Sequence, residues 1–472
     1  MNGKKVLVIG CGASGMMAAI AAAKAGASVT VLDGQKTPGR KLLITGNGRC
    51  NLTNLSPRIE TQYRSAAGED ILPFAESILG QLPPDRTLDL FHRMGLLTMV
   101  EHGSCVYPVS GQSQSVLNVL LQTMKELGVK VKLSEKVTGI GKTSSGSGWS
   151  VRTEGWSYEA DAVVLACGGR SYPRTGSDGS GYLLAESLGI TVTDTFPALT
   201  GISVVPGKQP VTLQSLIREQ EMLYGSADLP LPGKAEVPAP AGRKARGRKA
   251  EGRDNNFPGP LAGVRMNAGV SVFIDRIPAA RDIGQLQFTT SDLSGIVVFQ
   301  VSREVSRALH EGKNAEIRLD LLPGFTEDEV ETILSRFGED HKTAPLSVAF
   351  SGFLPRQIIP LILKAACPGQ EGAYRVAADM DRNFIRAVSE TIKSFRLEAG
   401  GVRGFDSCQV TAGGVSISMV DPESLSCRRP DLAGIYLAGE MLDADGPCGG
   451  YNLQWAWSSG YVAGTHAAGL SR

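Results

Sequence analysis

The chain has 472 residues, 42% of them hydrophobic and 20% charged, with a formal net charge of +1. That length holds two or three domains, because single cores stop growing near about 250–300 residues, and the composition excludes both a disordered chain and a globally nucleic-acid-like charge. The eight cysteines (Cys11, Cys50, Cys105, Cys167, Cys367, Cys408, Cys427, Cys448) are scattered singly, with no CxxC pair and no ligand spacing to the five histidines, which implies a reduced, cytoplasmic chain without a metal site.

Lys4 and Lys5 precede an apolar run ending near Ala27, a superficial match to a signal peptide. The run is split by Gly10, Gly12, Ser14 and Gly15 and carries Lys24, whereas a signal core is continuously apolar. No other stretch reaches the roughly 18 apolar residues that span a bilayer. Lys5 to Ile9 is instead a β-branched run of the buried parallel-strand kind, followed at once by Gly10-Cys11-Gly12-Ala13-Ser14-Gly15 and an Ala-rich helical segment. In that setting Gly10 permits the tight turn, Gly12 lets the backbone approach a pyrophosphate, and Gly15 allows close helix–strand packing. The N–H groups of Ala13 and Ser14 open a helix N-terminus that favours phosphate. A second strand, Ser28 to Leu32, ends in Asp33, whose carboxylate is placed to accept ribose hydroxyls and disfavours a 2′-phosphate. The motif alone does not separate FAD from NAD.

The segment Pro38 to Asn54 reads as a glycine-rich basic loop, too polar for a core strand. Gly46 and Gly48 let its backbone approach a ligand, and Arg40, Lys41 or Arg49 offset negative charge; with Cys50 and Asn51 they form an expected phosphate and flavin cradle, the alternative being an ordinary surface loop. Gly139-Ile140-Gly141 and Gly146 to Gly148 read as turns rather than a second nucleotide fingerprint. Val137, just ahead of them, is assigned to the cofactor-binding set. Ala162 to Leu165 is a buried strand leading to Ala166-Cys167-Gly168-Gly169, and Gly434 to Glu440 repeats the pattern of strand, small residue and glycine, with Gly439 and Glu440 at its end. Gly449, Gly450, Tyr451 and Asn452 then precede a helix-like run from Leu453, whose N-terminus is placed to polarise a flavin carbonyl.

The segments GRKLLITGNGRCNLTN, CVYPVSGQSQSVLNVL (Cys105 to Leu120), GQLQFTTSDLSG (Gly284 to Gly295), VTAGGV (Val410 to Val415) and YLAGEMLDADGPCGGYNLQWAWSSGYVAG (Tyr436 to Gly464) run in order along nearly the whole chain. Together they resemble the BaiN/YhiN-like (aminoacetone oxidase-like) family of flavoproteins. The chain departs from that pattern at Gly295-Ile296, where the family often has Gly-Pro, and at Asp33, where Glu is more usual. The resemblance implies an α/β fold: a discontinuous Rossmann-type FAD-binding domain with an inserted β-barrel domain and a small helical domain. The expected boundaries are 1–194 with 396–472 for the FAD-binding domain, 195–325 for the barrel and 326–395 for the helical cap. Short strand-like runs at Ile202 to Val205, Ala268 to Ile274 and Gly284 to Phe288, and helical periodicity at Thr326 to Phe337 and Pro355 to Ala366, fit that division. Residues 231–260 shift to Pro, Gly, Ala and charge, with Arg243, Lys244, Arg246, Arg248, Lys249 and Arg253 against Glu251. That stretch reads as a solvated flexible loop or as a basic arm that contacts phosphates.

The resemblance implies FAD as cofactor and NAD(P)H as transient reductant, with hydride passing through flavin N5 to a conjugated C=C acceptor. Members have been associated with steroid-like enones and with a uridine of ribosomal RNA, so the partner is a small-molecule enone or ribosomal RNA. A flavin-containing RNA-binding factor with little turnover and an oxidase using oxygen are the other readings. Candidate proton donors are Cys50, Tyr107, Cys448 and Tyr451, each of which has a plain packing role as the alternative.

Overall fold

The run Lys5–Ile9 becomes the central strand of a five-stranded sheet ordered Ile435–Leu437, Ala162–Leu165, Lys5–Ile9, Ser28–Asp33 and Lys130–Leu133. All four pairings are parallel. Both faces of such a sheet are covered, which is why Val6, Val8, Val31, Val163, Val164 and Leu165 are apolar at successive as well as alternate positions and almost wholly buried. The computed structural model describes residues 3–206, 261–368 and 376–469. They fall into two compact units, Met1–Thr200 with Val402–Arg472, and Gly201–Gly401.

In the first unit the helix Ala13–Lys24 packs along the C-terminal helix Tyr451–Ala467. Gly460 and Gly464 make this possible: a β-carbon on either would strike the carbonyl of Ser14 or Ala18. The two helices therefore touch backbone to backbone, an approach open only to glycine. Two smaller antiparallel sheets flank the parallel one, Thr53–Asn54 with Cys105–Pro108 and Thr98–Glu101, and Val137–Lys142 with Trp149–Thr153 and Ser157–Ala160. The second corrects the reading of Gly139-Ile140-Gly141 as a turn. These residues lie within a strand, with a register shift between Val137 and Gly139, and the space beside Gly139 is filled by the Arg152 guanidinium. Gly146 does lie in a turn.

The second unit holds a closed six-stranded barrel ordered Ile202–Pro206, Leu293–Ser294, Ile277–Phe288, Arg265–Ile274, Ala315–Asp320 and Phe395–Val402. The helix Ile296–His310 packs against it through Val297, Val298, Val301 and Val305. The helices Glu327–Asp340, Leu346–Ser351, Ile359–Ala366 and Arg382–Lys393 belong to the same compact unit. Leu321 N donates to Ile392 O (2.9 Å), and Lys393 Nζ donates to Asp320 Oδ2 and Leu322 O (both 2.8 Å). These bonds join the last helix to the strand Ala315–Asp320. Thr326 caps its helix through a reciprocal bond with Glu329. The basic run 243–253 lies outside the described residues. Among the described residues no helix is long and apolar enough to cross a membrane, and no cluster of three His, Cys, Asp or Glu could hold a metal.

Candidate functional site

The central strand has Ser28–Asp33 on one side and Ala162–Leu165 on the other, so the crevice at its C-terminal end is the position where parallel α/β sheets bind ligands. Three glycines meet there for different reasons. Gly10 has φ +104, and a β-carbon on it would strike the Ala166 carbonyl; one on Gly15 would strike Gly10 O. Gly12 is the opposite case, with extended backbone and nothing within 4 Å of where its β-carbon would stand. The protein fills the space beside the first two and leaves the third open. No side chain caps the helix that Gly12 begins, and its carbonyl accepts from Met16 N (2.9 Å). The first-turn N–H groups therefore open onto the free space, as an anion requires.

Asp33 stands beside this turn, but its oxygens are engaged. Oδ2 accepts from Cys11 N and Oδ1 from Gln35 N, both at 2.7 Å. Burial raises its carboxyl above the ordinary carboxylate value, opposed by those two N–H groups and by Arg40. The expected ribose acceptor thus also braces the glycine turn, and ribose hydroxyls would share its remaining lone pairs. Val137 is buried just beyond Lys136, which packs on Gly34 at the end of the same strand.

The three cations of the basic segment are partnered. Arg40 donates to Gln35 Oε1, Lys41 pairs with Glu440 at 2.5 Å, and Arg49 pairs with Glu101 at 2.5 Å. Glu440 also accepts from Ser171 Oγ and Thr411 N, both at 2.9 Å. Gly169 is bare because Thr411 and Glu440 press on it, and Gly168 has φ +75. The segment itself is a short helix, Arg40–Ile44, entered through Gly39 at φ +65, and not a loop throughout. Two of its three cations face carboxylates, so the uncapped helix remains the principal counter-charge for a phosphate here.

A second group of residues gathers around Gly449 and Gly450. Asn54 Nδ2 donates to Gly449 O (2.7 Å), and Cys105 Sγ lies 3.9 Å from the same oxygen. Gly450 has φ +95; a β-carbon there would stand 2.6 Å from Thr53 O and 2.8 Å from the Asn51 side-chain amide. With its amide oriented by the surrounding network, Asn51 donates to Thr53 O (3.1 Å) and accepts from Gly450 N (3.3 Å). Asn452 closes the preceding loop by accepting from Gly446 N (2.9 Å) and donating to Gly446 O (2.8 Å). Tyr451 is largely buried, with its hydroxyl 3.4 Å from Ser56 Oγ and its carbonyl accepting from Tyr63 (2.8 Å). Arg49 lies over the Tyr107 ring, 4.4 Å from its centroid, and a β-carbon on Gly46 would stand 3.8 Å from an edge atom of the same ring. Gly46, Gly48 and Cys50 all hold positive φ.

The four thiols and phenols singled out as proton donors differ in access. Cys50 is fully buried, its thiol pushed up to about 12 by burial. Tyr107 is half-buried and raised chiefly by burial, with Arg49 opposing; Cys448 is half-buried. Sequence reasoning passed over Asn54, which ties Cys105 to Gly449, and Asp443, which is wholly buried and accepts from Ser65 Oγ (2.7 Å), Ala66 N (2.8 Å) and Ala67 N (3.0 Å). It also passed over Gly460 and Gly464, whose spacing of four was a readable sign of close helix contact.

A model of the family described as HI0933-like protein Rossmann domain matches residues 4–466. The chain belongs to this family. The resemblance to BaiN/YhiN-like flavoproteins holds accordingly, and the chain is an FAD-binding oxidoreductase with a Rossmann-type domain. The chain is 35% identical to a 3-dehydro-bile acid delta(4,6)-reductase of Clostridium scindens, covering 98% of this chain and 99% of that protein. It is 26% identical to a ribosomal RNA dihydrouridine synthase of Escherichia coli, covering 97% and 96% respectively. Among solved structures it is similar to a 3-ketosteroid-delta4-(5alpha)-dehydrogenase from Rhodococcus jostii RHA1, at 14% identity and a TM-score of 0.42, covering 99% of this chain and 97% of that one. The residues present fit FAD: the open space at Gly12 and the uncapped helix behind it suit a pyrophosphate.

Proposed function

We propose that this HI0933-like protein is an FAD-dependent reductase that draws on NAD(P)H and saturates a conjugated C=C in a steroid-like ketone. The observation that carries this reading is the 35% identity, over nearly the full length of both chains, to a bile-acid reductase, against 26% to the ribosomal RNA synthase. When bound, FAD supplies the redox chemistry, accepting hydride from NAD(P)H and passing it to the β-carbon of the acceptor.

The chain's own residues divide the remaining work. Gly10, Gly12, Ala13, Ser14 and Gly15 receive the pyrophosphate, while Asp33 and Val137 border the adenosine side. Ala166, Gly168, Gly169, Gly439 and Glu440 line the crevice end of the sheet. Gly46, Gly48, Arg49, Asn51, Gly449, Gly450, Tyr451 and Asn452 border the redox end, close to Cys50 and Cys448. Tyr107 holds the proton that the α-carbon takes up: of the named donors it combines partial exposure with a phenol raised by burial, so it stays protonated at neutral pH. The second reading, reduction of a ribosomal uridine, is supported by the full-length similarity to the RNA enzyme and by the basic run 243–253.

An anaerobic stopped-flow experiment separates the two. The flavin is reduced with NADH or NADPH, then mixed with a 4-ene-3-oxo steroid or with ribosomal RNA fragments. Fast reoxidation by the steroid supports the proposal; reoxidation by RNA alone, with dihydrouridine formed, replaces it with the second reading. Protein that purifies without flavin or reoxidises with neither overturns both.

A further inference from the structure

The small sheet beside the redox end presents two unlike ends on one face. Side chains two residues apart on a strand share a face, as do residues directly opposite each other on paired strands. Met99 lies opposite Tyr107, and Glu101 opposite Cys105. Val109 N donates to Leu97 O at 2.9 Å, which extends the same ladder by one step. Leu97, Met99 and Glu101 therefore share a face with Val109, Tyr107 and Cys105. At the Cys105 end this face meets Gly449 through Asn54. At the other end it carries large apolar side chains left in the open: Leu97 is 71% exposed, Val109 56% and Met99 44%.

Thr98–Glu101 is the outer strand of its sheet, and an exposed apolar edge is a feature that proteins ordinarily blunt with charge or cover. This one runs from open hydrocarbon to a tyrosine whose ring Arg49 covers, and then past the Arg49–Glu101 ion pair to the glycine turn of the candidate redox end. Successive rows along the strands stand roughly 7 Å apart, so a flat fused-ring molecule lying along them would span the apolar row and reach Tyr107. We propose that this face seats the hydrocarbon of the acceptor, with its ketone end towards Tyr107 and with Met99, unbranched and polarizable, adapting to its outline. The proposal rests on the reductase reading above and adds to it where the substrate lies and which residues set its size.

The test is a titration of the FAD-loaded protein and its Leu97→Ser/Met99→Ser variant with a saturated 3-oxo steroid, which binds without a C=C to reduce, followed by calorimetry. Both substitutions are at exposed positions, and flavin content reports that the fold is kept. The steroid should bind about tenfold more weakly to the variant, the loss expected from uncovering two partly buried apolar side chains. The KM for 2-cyclohexenone, which fits the Tyr107–Met99 row and is too short to reach Leu97 and Val109, should be unchanged in the Leu97→Ser single variant. Equal steroid affinity in both proteins, or none in the wild type, overturns the assignment. So does a wild-type dimer that the double substitution splits without changing steroid affinity, since the strip would then belong to a second copy. Steroid bound through these residues but never reduced, in its unsaturated form, would sink the reductase reading and leave this seat standing.

Discussion

Two helix starts in the first unit share a sequence habit and differ in what it is for. Gly12 begins Ala13–Lys24 and Gly450 begins Tyr451–Ala467, and neither helix has a side-chain cap. Beside Gly12 there is nothing within 4 Å, whereas Gly450 lies against Thr53 O and Asn51. One glycine keeps room for something outside the chain; the other lets two parts of the chain close on each other. A glycine before a helix is thus a statement about close approach, and only the structure says by what.

Gly12→Val breaks the comparison most sharply. Its backbone is extended, at φ −88, so valine fits the chain while its methyl groups occupy the free space. FAD affinity should fall at least a thousandfold, about 4 kcal/mol, and the apo protein should unfold within roughly 1 kcal/mol of the wild-type apo protein. Yellow, fully loaded variant protein would mean that the pyrophosphate lies elsewhere. Gly450→Ala should do the reverse, because its φ of +95 and its 2.6 Å approach to Thr53 O leave no place for a methyl group. The apo protein should lose about 3 kcal/mol in urea unfolding, with cofactor loss following the loss of fold. A variant as stable as wild type would show that the turn can relax away from Thr53.

Gly464→Ala tests a third glycine, whose β-carbon would strike Ala18 O between two long helices. Helices can slide where a tight turn cannot, so a smaller loss of about 2 kcal/mol is expected, measured in the same way. This glycine also marks a limit of sequence reading. The strand, glycine turn and helix at Lys5–Lys24 were legible because every element of that signature is local: a β-branched run, three glycines at fixed spacing and an Ala-rich helix. The Gly449–Tyr451 turn was legible only through resemblance, since its partners Asn51, Thr53 and Asn54 lie some four hundred residues earlier in the chain. Lys41 and Arg49 read as counter-charges for a ligand because nothing nearby in sequence announces Glu440 and Glu101 as their partners. Gly139 reads as a turn in the sequence because the guanidinium that fills its side-chain space belongs to another strand.

The finest distinction concerns Asp33, which sequence assigns to the ligand and which in the structure also accepts from Cys11 N and Gln35 N. If bracing the turn is part of its role, Asp33→Asn weakens the apo protein by about 1 kcal/mol, the worth of one of those bonds, because an amide has a single oxygen to offer. A role confined to ribose would leave the apo protein unchanged and show only in FAD affinity. The pH dependence gives an independent sign. Burial holds the folded carboxyl above its ordinary value of 3.8, so between the unfolded and folded values the native state binds more protons than the unfolded state. This group's contribution to stability therefore falls as pH rises through that window and is flat above it. Lowering the pH from 7 into the carboxylate range should shift the difference between wild type and Asp33→Asn in favour of wild type, in paired urea titrations of the apo proteins. A difference that is constant with pH would mean that the two N–H bonds and Arg40 fully offset the burial of the carboxylate.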